Sequence, residues 1–293
     1  MRRKLVKQGK GALTLSLPKK WITLYDLSVG DEVILEEKDN DLVVKKEGAL
    51  KVSETKIFLD HLSVAAYRSL LGGLYRGGFD RINVEFKDKR VIQNLEKAVN
   101  SMYGFEVFYV SENKCIVRSI YGEEETDVRS HINRMIYTIE TMQQIIVEDI
   151  SKGISESKKE LLQLRNNVLK QRDLIVRVIK KKKLLNNDVF PYYTISLSLW
   201  GVARNYYHLY DDLSAKEDVS FLKKTNEYFK ESFRKLDSVS MGEYLLRHEK
   251  YSKIYDECKG LVGKSKIAAY CMNIILQIQL TDSSIYLLNH GNI

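Results

Sequence analysis

From Gly122 to the C-terminus, apolar residues recur at spacings of three and four with few interruptions, the period that places side chains on one face of an α-helix. Ile132, Met135, Ile139, Met142, Ile146 and Ile150 form the first stripe. Leu161, Leu164, Val168, Ile175 and Ile179 form a second, with Arg172 in its gap. Ile195, Leu199, Val202, Tyr206, Leu209 and Leu213 form a third on a seven-residue repeat. Leu222, Phe229, Phe233 and Leu236 suggest a fourth, and Met241, Tyr244, Tyr251 and Cys258 a fifth. Ile267, Cys271, Ile274, Ile278, Ile285 and Leu288 make the last. Breaks fall near Gly153, Asn186-Asn187, Ser214, Ser238 and Gly260 to Gly263. The only prolines in 293 residues are Pro18 and Pro191, so helices of this length run without an internal breaker. Helices with one apolar face must bury those faces on each other. Residues 121–293 are therefore predicted to form an antiparallel six-helix bundle, in two three-helix halves.

Residues 52–120 read differently. Lys56 to Leu59 is a short strand, and His61 to Tyr75 is apolar on a helical period that ends at Gly77-Gly78. Arg81 to Phe86 is a strand with Ile82, Val84 and Phe86 on one face. Val91 to Met102 is a second helix, and Glu106 to Val110 with Cys115 to Ser119 make a hairpin around Ser111-Glu112-Asn113. The order β-α-β-α-β-β predicts a small α/β domain with its helices on one side of the sheet. The whole chain is then an α+β, three-domain protein.

Residues 1–51 form the first domain, which is β-rich. Its opening is one-sided in charge: Arg2, Arg3, Lys4, Lys7, Lys10, Lys19 and Lys20 occur with no acidic residue among them. Leu13, Leu15 and Leu17 alternate with Thr14 and Ser16, predicting a strand with one apolar face that stops at Pro18. Lys19 to Tyr25 suits one short helix behind Pro18. Leu27-Ser28-Val29-Gly30-Asp31 suits a turn, and two strands follow around Lys38-Asp39-Asn40-Asp41. So few apolar side chains cannot bury much surface in one copy, and a second copy would supply the missing cover.

The formal net charge of +8 favours a polyanionic partner. Cys115, Cys258 and Cys271 have neither metal nor redox spacing, which suits buried thiols in a reducing cytosol. The basic N-terminus lacks a following apolar core of signal-peptide length. The most apolar stretch, Ile267 to Leu280, carries Asn273, Gln277 and Gln279 and is too short to span a bilayer. The expected location is cytoplasmic. No nucleophile sits beside a base at motif spacing, and Gly9-Lys10-Gly11 lacks the length of a phosphate-cradling loop. An enzyme is not expected, nor are catalytic residues or a cofactor. His208 and His248 have no partners at metal spacing. Tyr192, Tyr193, Tyr206, Tyr207 and Tyr210 crowd one helix, where packing competes with base stacking as their role. Lys180 to Lys183, with Arg165, Lys170, Arg172 and Arg177 upstream, form a second basic region. It reads either as cations complementing a helix C-terminus or as a contact with DNA or an anionic membrane surface.

The segment Gly9-Lys10-Gly11-Ala12-Leu13-Thr14-Leu15-Ser16-Leu17-Pro18-Lys19-Lys20-Trp21, followed by Leu27-Ser28-Val29-Gly30-Asp31-Glu32-Val33, resembles the SpoVT/AbrB swapped-hairpin domain. The resemblance implies an intertwined homodimer that binds DNA through basic residues of the strand and the following loop. Carried over by position, the contacts are Arg2, Arg3, Lys7 and Lys10, with Lys4, Lys19 and Lys20 beside them. The helical part is similar to PhoU, the phosphate-uptake regulator, and the combination resembles its archaeal-type members. Gly72 to Asp80 and Tyr103 to Val107 look like that subfamily's middle domain. PhoU proteins carry a repeated acidic motif that can hold clustered metal ions. Here Arg204 stands where an Asp belongs, with Asp211 matching the downstream acid. Asp282 is kept in the other copy but Asn289 lies downstream, and Leu169 fills another usually acidic position, while Arg177 matches a family arginine. A hard cation needs two or three carboxylates, so no metal site of the family's type is expected.

These readings imply a homodimeric, DNA-binding transcriptional regulator of phosphate uptake or homeostasis, its DNA-binding domain modulated by the bundle. The alternative is a protein-interaction adaptor, in which the bundle docks on a phosphate transporter or sensor kinase without specific DNA binding.

Overall fold

The computed structural model describes residues 2–9, 11–38, 41–46, 53–60, 63–120, 126–182, 189–213, 219–234, 236 and 239–290. The chain divides into two compact units, Met1–Val52 and Ser53–Ile293. The expected breaks at Asn186-Asn187, Ser214 and Ser238 lie outside the described residues.

The described residues of the N-terminal unit form two hairpins and one short helix. Strands β1 (Val6–Gln8) and β2 (Ala12–Thr14) pair antiparallel, with Lys7 opposite Leu13. This corrects the expectation of one strand through Leu13, Leu15 and Leu17. Gly9 and Gly11 take positive φ, 70° and 107°, where a side chain is strained. The turn they make folds the basic segment back on itself, and Leu15 to Leu17 lie beyond the end of the ladder. Helix α1 (Lys19–Leu24) follows Pro18, whose extended ψ of 129° ends the preceding segment and whose carbonyl accepts from the amides of Trp21 and Ile22. Ser28 and Asp31 close the next turn: the Ser28 amide donates to the Asp31 carboxylate at 2.7 Å, with Gly30 at φ 98° between them. Strands β3 (Val33–Lys38) and β4 (Asp41–Lys46) then form the second hairpin. The Lys46 ammonium donates to the Tyr25 carbonyl at 2.7 Å, fastening this hairpin to the end of α1.

The second unit has two hydrophobic cores. One lies between a four-stranded sheet and two helices. Strands β5 (Glu54–Leu59), β6 (Arg81–Phe86), β7 (Phe105–Ser111) and β8 (Lys114–Ser119) are ordered β5-β6-β8-β7, with β5 and β6 parallel and the other pairs antiparallel. Helices α2 (Val64–Arg76) and α3 (Arg90–Val99) cover the face carrying Ile82, Val84, Phe86, Cys115 and Val117, as the alternation predicts. The Ser63 hydroxyl caps α2 by accepting from the Ala66 amide.

The other core belongs to helices α4 (Val128–Lys152), α5 (Lys158–Lys182), α6 (Val189–Asp211), α7 (Ser220–Phe233), α8 (Met241–Leu261) and α9 (Lys266–His290). Helices α4, α5 and α6 pack on one another, as do α7, α8 and α9, and α6 against α9 joins the two halves. Hydrogen bonds fix the directions. Asp149 at the end of α4 accepts from Tyr210 at the end of α6, and the Ser157 amide ahead of α5 donates to the same Tyr210 hydroxyl. The stripe residues Ile132, Met135, Ile139, Met142 and Ile146 are buried, as are Ile195, Leu199, Val202, Tyr206 and Leu209. Helix α4 stops at Gly153, in the left-handed conformation at φ 68°, and α8 starts with a capping box between Ser240 and Glu243. All three cysteines are buried free thiols, and burial pushes Cys271 up to about 12.

One arginine joins sheet layer and bundle. Arg177 of α5 is fully buried; it donates to the carbonyls of Tyr75 at 3.0 Å and Phe79 at 2.7 Å, and pairs with Asp80 at 2.5 Å. Its guanidinium also lies about 5 Å from the ring centres of Tyr75 and Phe105. Lys181 reaches the same carboxylate. Burial alone would raise the Asp80 carboxyl, but the Lys181 and Ser53 hydrogen bonds and the Arg177 charge outweigh it and hold it below the usual range.

Candidate nucleic-acid interface

Arg2, Arg3 and Lys4 precede β1, Lys7 lies on β1, and Lys19 and Lys20 are the first two residues of α1. Each is exposed. Lys10 lies outside the described residues. None of the six described cations makes an ion pair with a described residue. Paired surface cations contribute little to an outside anion, whereas unpaired ones are available to phosphates along their full length. The carboxylates of this unit sit elsewhere in it: Glu36 holds Lys45 across the β3–β4 hairpin, and Asp31 closes its own turn.

The apolar side chains of the unit are as exposed as its cations. Among its described residues none is buried. Leu5, Val6, Leu13 and Leu15 are between 47% and 63% exposed, and Leu24, Ile34, Leu35 and Leu42 are also open. Cross-strand alternation puts Leu13 and Lys7 on the same face of the first hairpin. The unit thus presents uncovered apolar surface and uncompensated positive charge together. Folding it alone would leave the hydrophobic term almost unused.

The second basic region resolves into separate duties. Arg177 is interior and Lys181 is paired to Asp80. Arg172 pairs with its neighbour Asp173 at 2.6 Å, and Arg165 lies over Trp200 and Tyr207. Lys183 lies outside the described residues. The fold sets Arg165, Lys170 and Arg172 beside Arg68, Arg76 and Lys97. Nothing in the linear sequence links those three to α5; only the packing of α2 on α5 does so.

The acidic remnants do not converge. Asp211 at the end of α6 pairs with Lys158. Asp282 is buried on α9 against the Tyr228 hydroxyl at 3.2 Å. Asn289 donates to the carbonyls of Leu236 and Ile285. Among the described residues no three His, Cys, Asp or Glu side chains gather as a metal site, and no helix is long and apolar enough to cross a membrane. Of the crowded tyrosines, Tyr206 and Tyr210 are buried, hydrogen-bonded to Asn226 and Asp149. His208 and His248 are exposed beside Tyr207 and Tyr251.

Residues 6–51 match the family model described as antidote-toxin recognition MazE, bacterial antitoxin. That span covers both hairpins and α1, and it supports the reading of this segment as a swapped-hairpin DNA-binding domain. No curated protein and no solved structure matches the chain.

Proposed function

We propose that two copies of this chain interlock through residues 1–52 into a DNA-binding unit, and that the helical bundle of each copy regulates it. The observation that carries this reading is the N-terminal unit itself: no described residue of it is buried, and Arg2, Arg3, Lys4, Lys7, Lys19 and Lys20 are exposed without an ion pair to a described residue. A second copy supplies cover for the leucines, and pairing doubles the positive field on one assembly. The family match over residues 6–51 supports it independently. Arg2, Arg3, Lys4, Lys7, Lys10, Lys19 and Lys20 are the phosphate- and base-contacting residues in this reading, and the protein acts in the cytoplasm.

The bundle is the regulatory part. Its two three-helix halves accord with the PhoU resemblance, from which the control of phosphate uptake or homeostasis is taken. A signal that shifts the bundle between two arrangements changes DNA affinity by its differential binding to them.

Fluorescence anisotropy with a labelled duplex, repeated across salt concentrations, tests the DNA reading. Engagement of six to eight phosphates per dimer gives a slope of log K against log salt of about −5 to −7. Replacing Arg2, Arg3, Lys7 and Lys10 by Ala should remove most of that slope. Absence of binding at low salt refutes the DNA reading and leaves the adaptor role for the bundle; binding that survives the fourfold variant refutes DNA contact through this segment.

A further inference from the structure

Between α2, α3 and α5 the second unit has a cleft of about 490 Å³, within the usual size of small-molecule sites. Its charge is unbalanced. Arg68 and Arg76 come from α2, Lys97 from α3, and Arg165, Lys170 and Arg172 from α5. Among the described residues the only lining carboxylate is Asp173, which Arg76 and Arg172 share at 3.1 and 2.6 Å. Arg68, Lys97, Arg165 and Lys170 have no ion pair with a described residue. The rest of the polar lining includes Asn100, Asn166 and Asn167, which can both donate and accept.

Two guanidinium groups show the shortage locally. The Nε–H of Arg165 and that of Arg172 are shielded from solvent and have no hydrogen-bond partner, a costly state for a buried charged donor. Burial pushes the Arg165 guanidinium down, and the positive charges of Arg68 and Arg204 add to that, with Tyr207 opposing. Burial acts on Arg172 in the same direction, offset by Asp173 and reinforced by Arg76. An anion in the cleft would relieve the mutual repulsion of these guanidinium groups and compensate their burial.

The spread of the cations sets the kind of anion. Arg68 and Arg76 stand eight residues apart on one helix, about 12 Å of rise, and Arg165 and Arg172 about 10 Å. Cations spread along this length and over three helices offer more donors than one orthophosphate can engage, whereas a chain of phosphates can use more of them. Guanidinium groups pair phosphate oxygens two at a time, and the amides can hydrogen-bond a heterocycle or sugar. We propose that this cleft is a binding site for an organic polyphosphate of the nucleoside di- or triphosphate class. Every residue lining the cleft belongs to the second unit, and the proposal does not depend on DNA binding.

Isothermal titration of the full chain with ATP, orthophosphate and citrate at low salt tests it. ATP should bind about tenfold or more tightly than either control, because only it presents several phosphates and a base. The double variant Lys97→Glu, Lys170→Glu should weaken ATP binding by about tenfold or more, with the circular dichroism spectrum and melting temperature retained, since neither lysine makes an ion pair with a described residue. The variant with Arg2, Arg3, Lys7 and Lys10 replaced by Ala should bind ATP as the unaltered chain does, which separates this site from the DNA-binding unit. No binding of ATP at about 1 mM, citrate or orthophosphate binding as tightly as ATP, or ATP binding unaffected by the double variant each overturns the proposal.

Discussion

Asp282 is a carboxylate in a place that suits its neutral form. One oxygen meets the Tyr228 hydroxyl and the other has no hydrogen-bond partner, in the interior between α7 and α9. Burial pushes its carboxyl up to about 6, against the pull of Arg247 and of the Tyr228 hydrogen bond. In the unfolded chain the same carboxyl titrates near about 3.9. The folded state therefore holds this proton more tightly, so stability falls as pH rises from about 4 to about 6 and the loss is complete above that. Asp282→Asn keeps the shape and removes the charge. It should stabilise the chain at about pH 7.5 by something on the order of 2–3 kcal/mol, and by little near pH 4. Urea unfolding of both proteins at the two pH values measures this; an equal gain at both would rule out the carboxylate charge as its origin. The PhoU resemblance singles out Asp282 as an acid kept from that family's metal-binding pattern. Its environment makes it a titrating core residue beside a tyrosine.

At the scale of elements, the joint between the two bundle halves rests on a missing side chain. A Cβ at Gly201 of α6 would stand 2.6 Å from Oε1 and 2.9 Å from Cδ of Gln277 on α9. The glycine costs α6 about 1 kcal/mol in helix propensity and permits the close approach of α9. Gly201→Leu should recover the propensity and still destabilise the unit by about 1–3 kcal/mol through overpacking, read as a lower urea midpoint. Adding Gln277→Ala should restore much of the loss; without that recovery, the contact is not the cause. Helices, strands and many of their ends were legible in the sequence because local residues determine them. Ile132 to Ile146 mark a buried face by spacing alone, and Gly153 marks a helix end by its own chemistry. What the sequence hides is which elements meet. Arg177 belongs to a run of cations until α5 packs under the sheet layer and sets it against Asp80, 97 residues away. The three helices of the polyphosphate cleft share no sequence neighbourhood for the same reason. The N-terminal alternation misleads in another way: Leu13, Leu15 and Leu17 keep the period of a strand, but the turn at Gly9 and Gly11 decides where pairing ends.

The molecule as a whole joins parts with different sources of stability. Residues Ser53–Ile293 carry two cores of their own, while the N-terminal unit has no buried described residue. Heating should therefore produce two transitions. The lower, from the N-terminal unit, should move up as protein concentration rises, since association favours the folded form by mass action. The upper should hold its position. Leu13→Asp should abolish the concentration dependence of the lower transition, and scanning calorimetry at several protein concentrations tests both statements; a lower transition that ignores concentration contradicts interlocking copies. The coreless hairpins have a further consequence for dose. A DNA-binding surface assembled from two halves grows at first with the square of chain number, so doubling expression from a low level would quadruple the occupied competent form. Regulation of this kind responds to copy number as a threshold, before any ligand arrives.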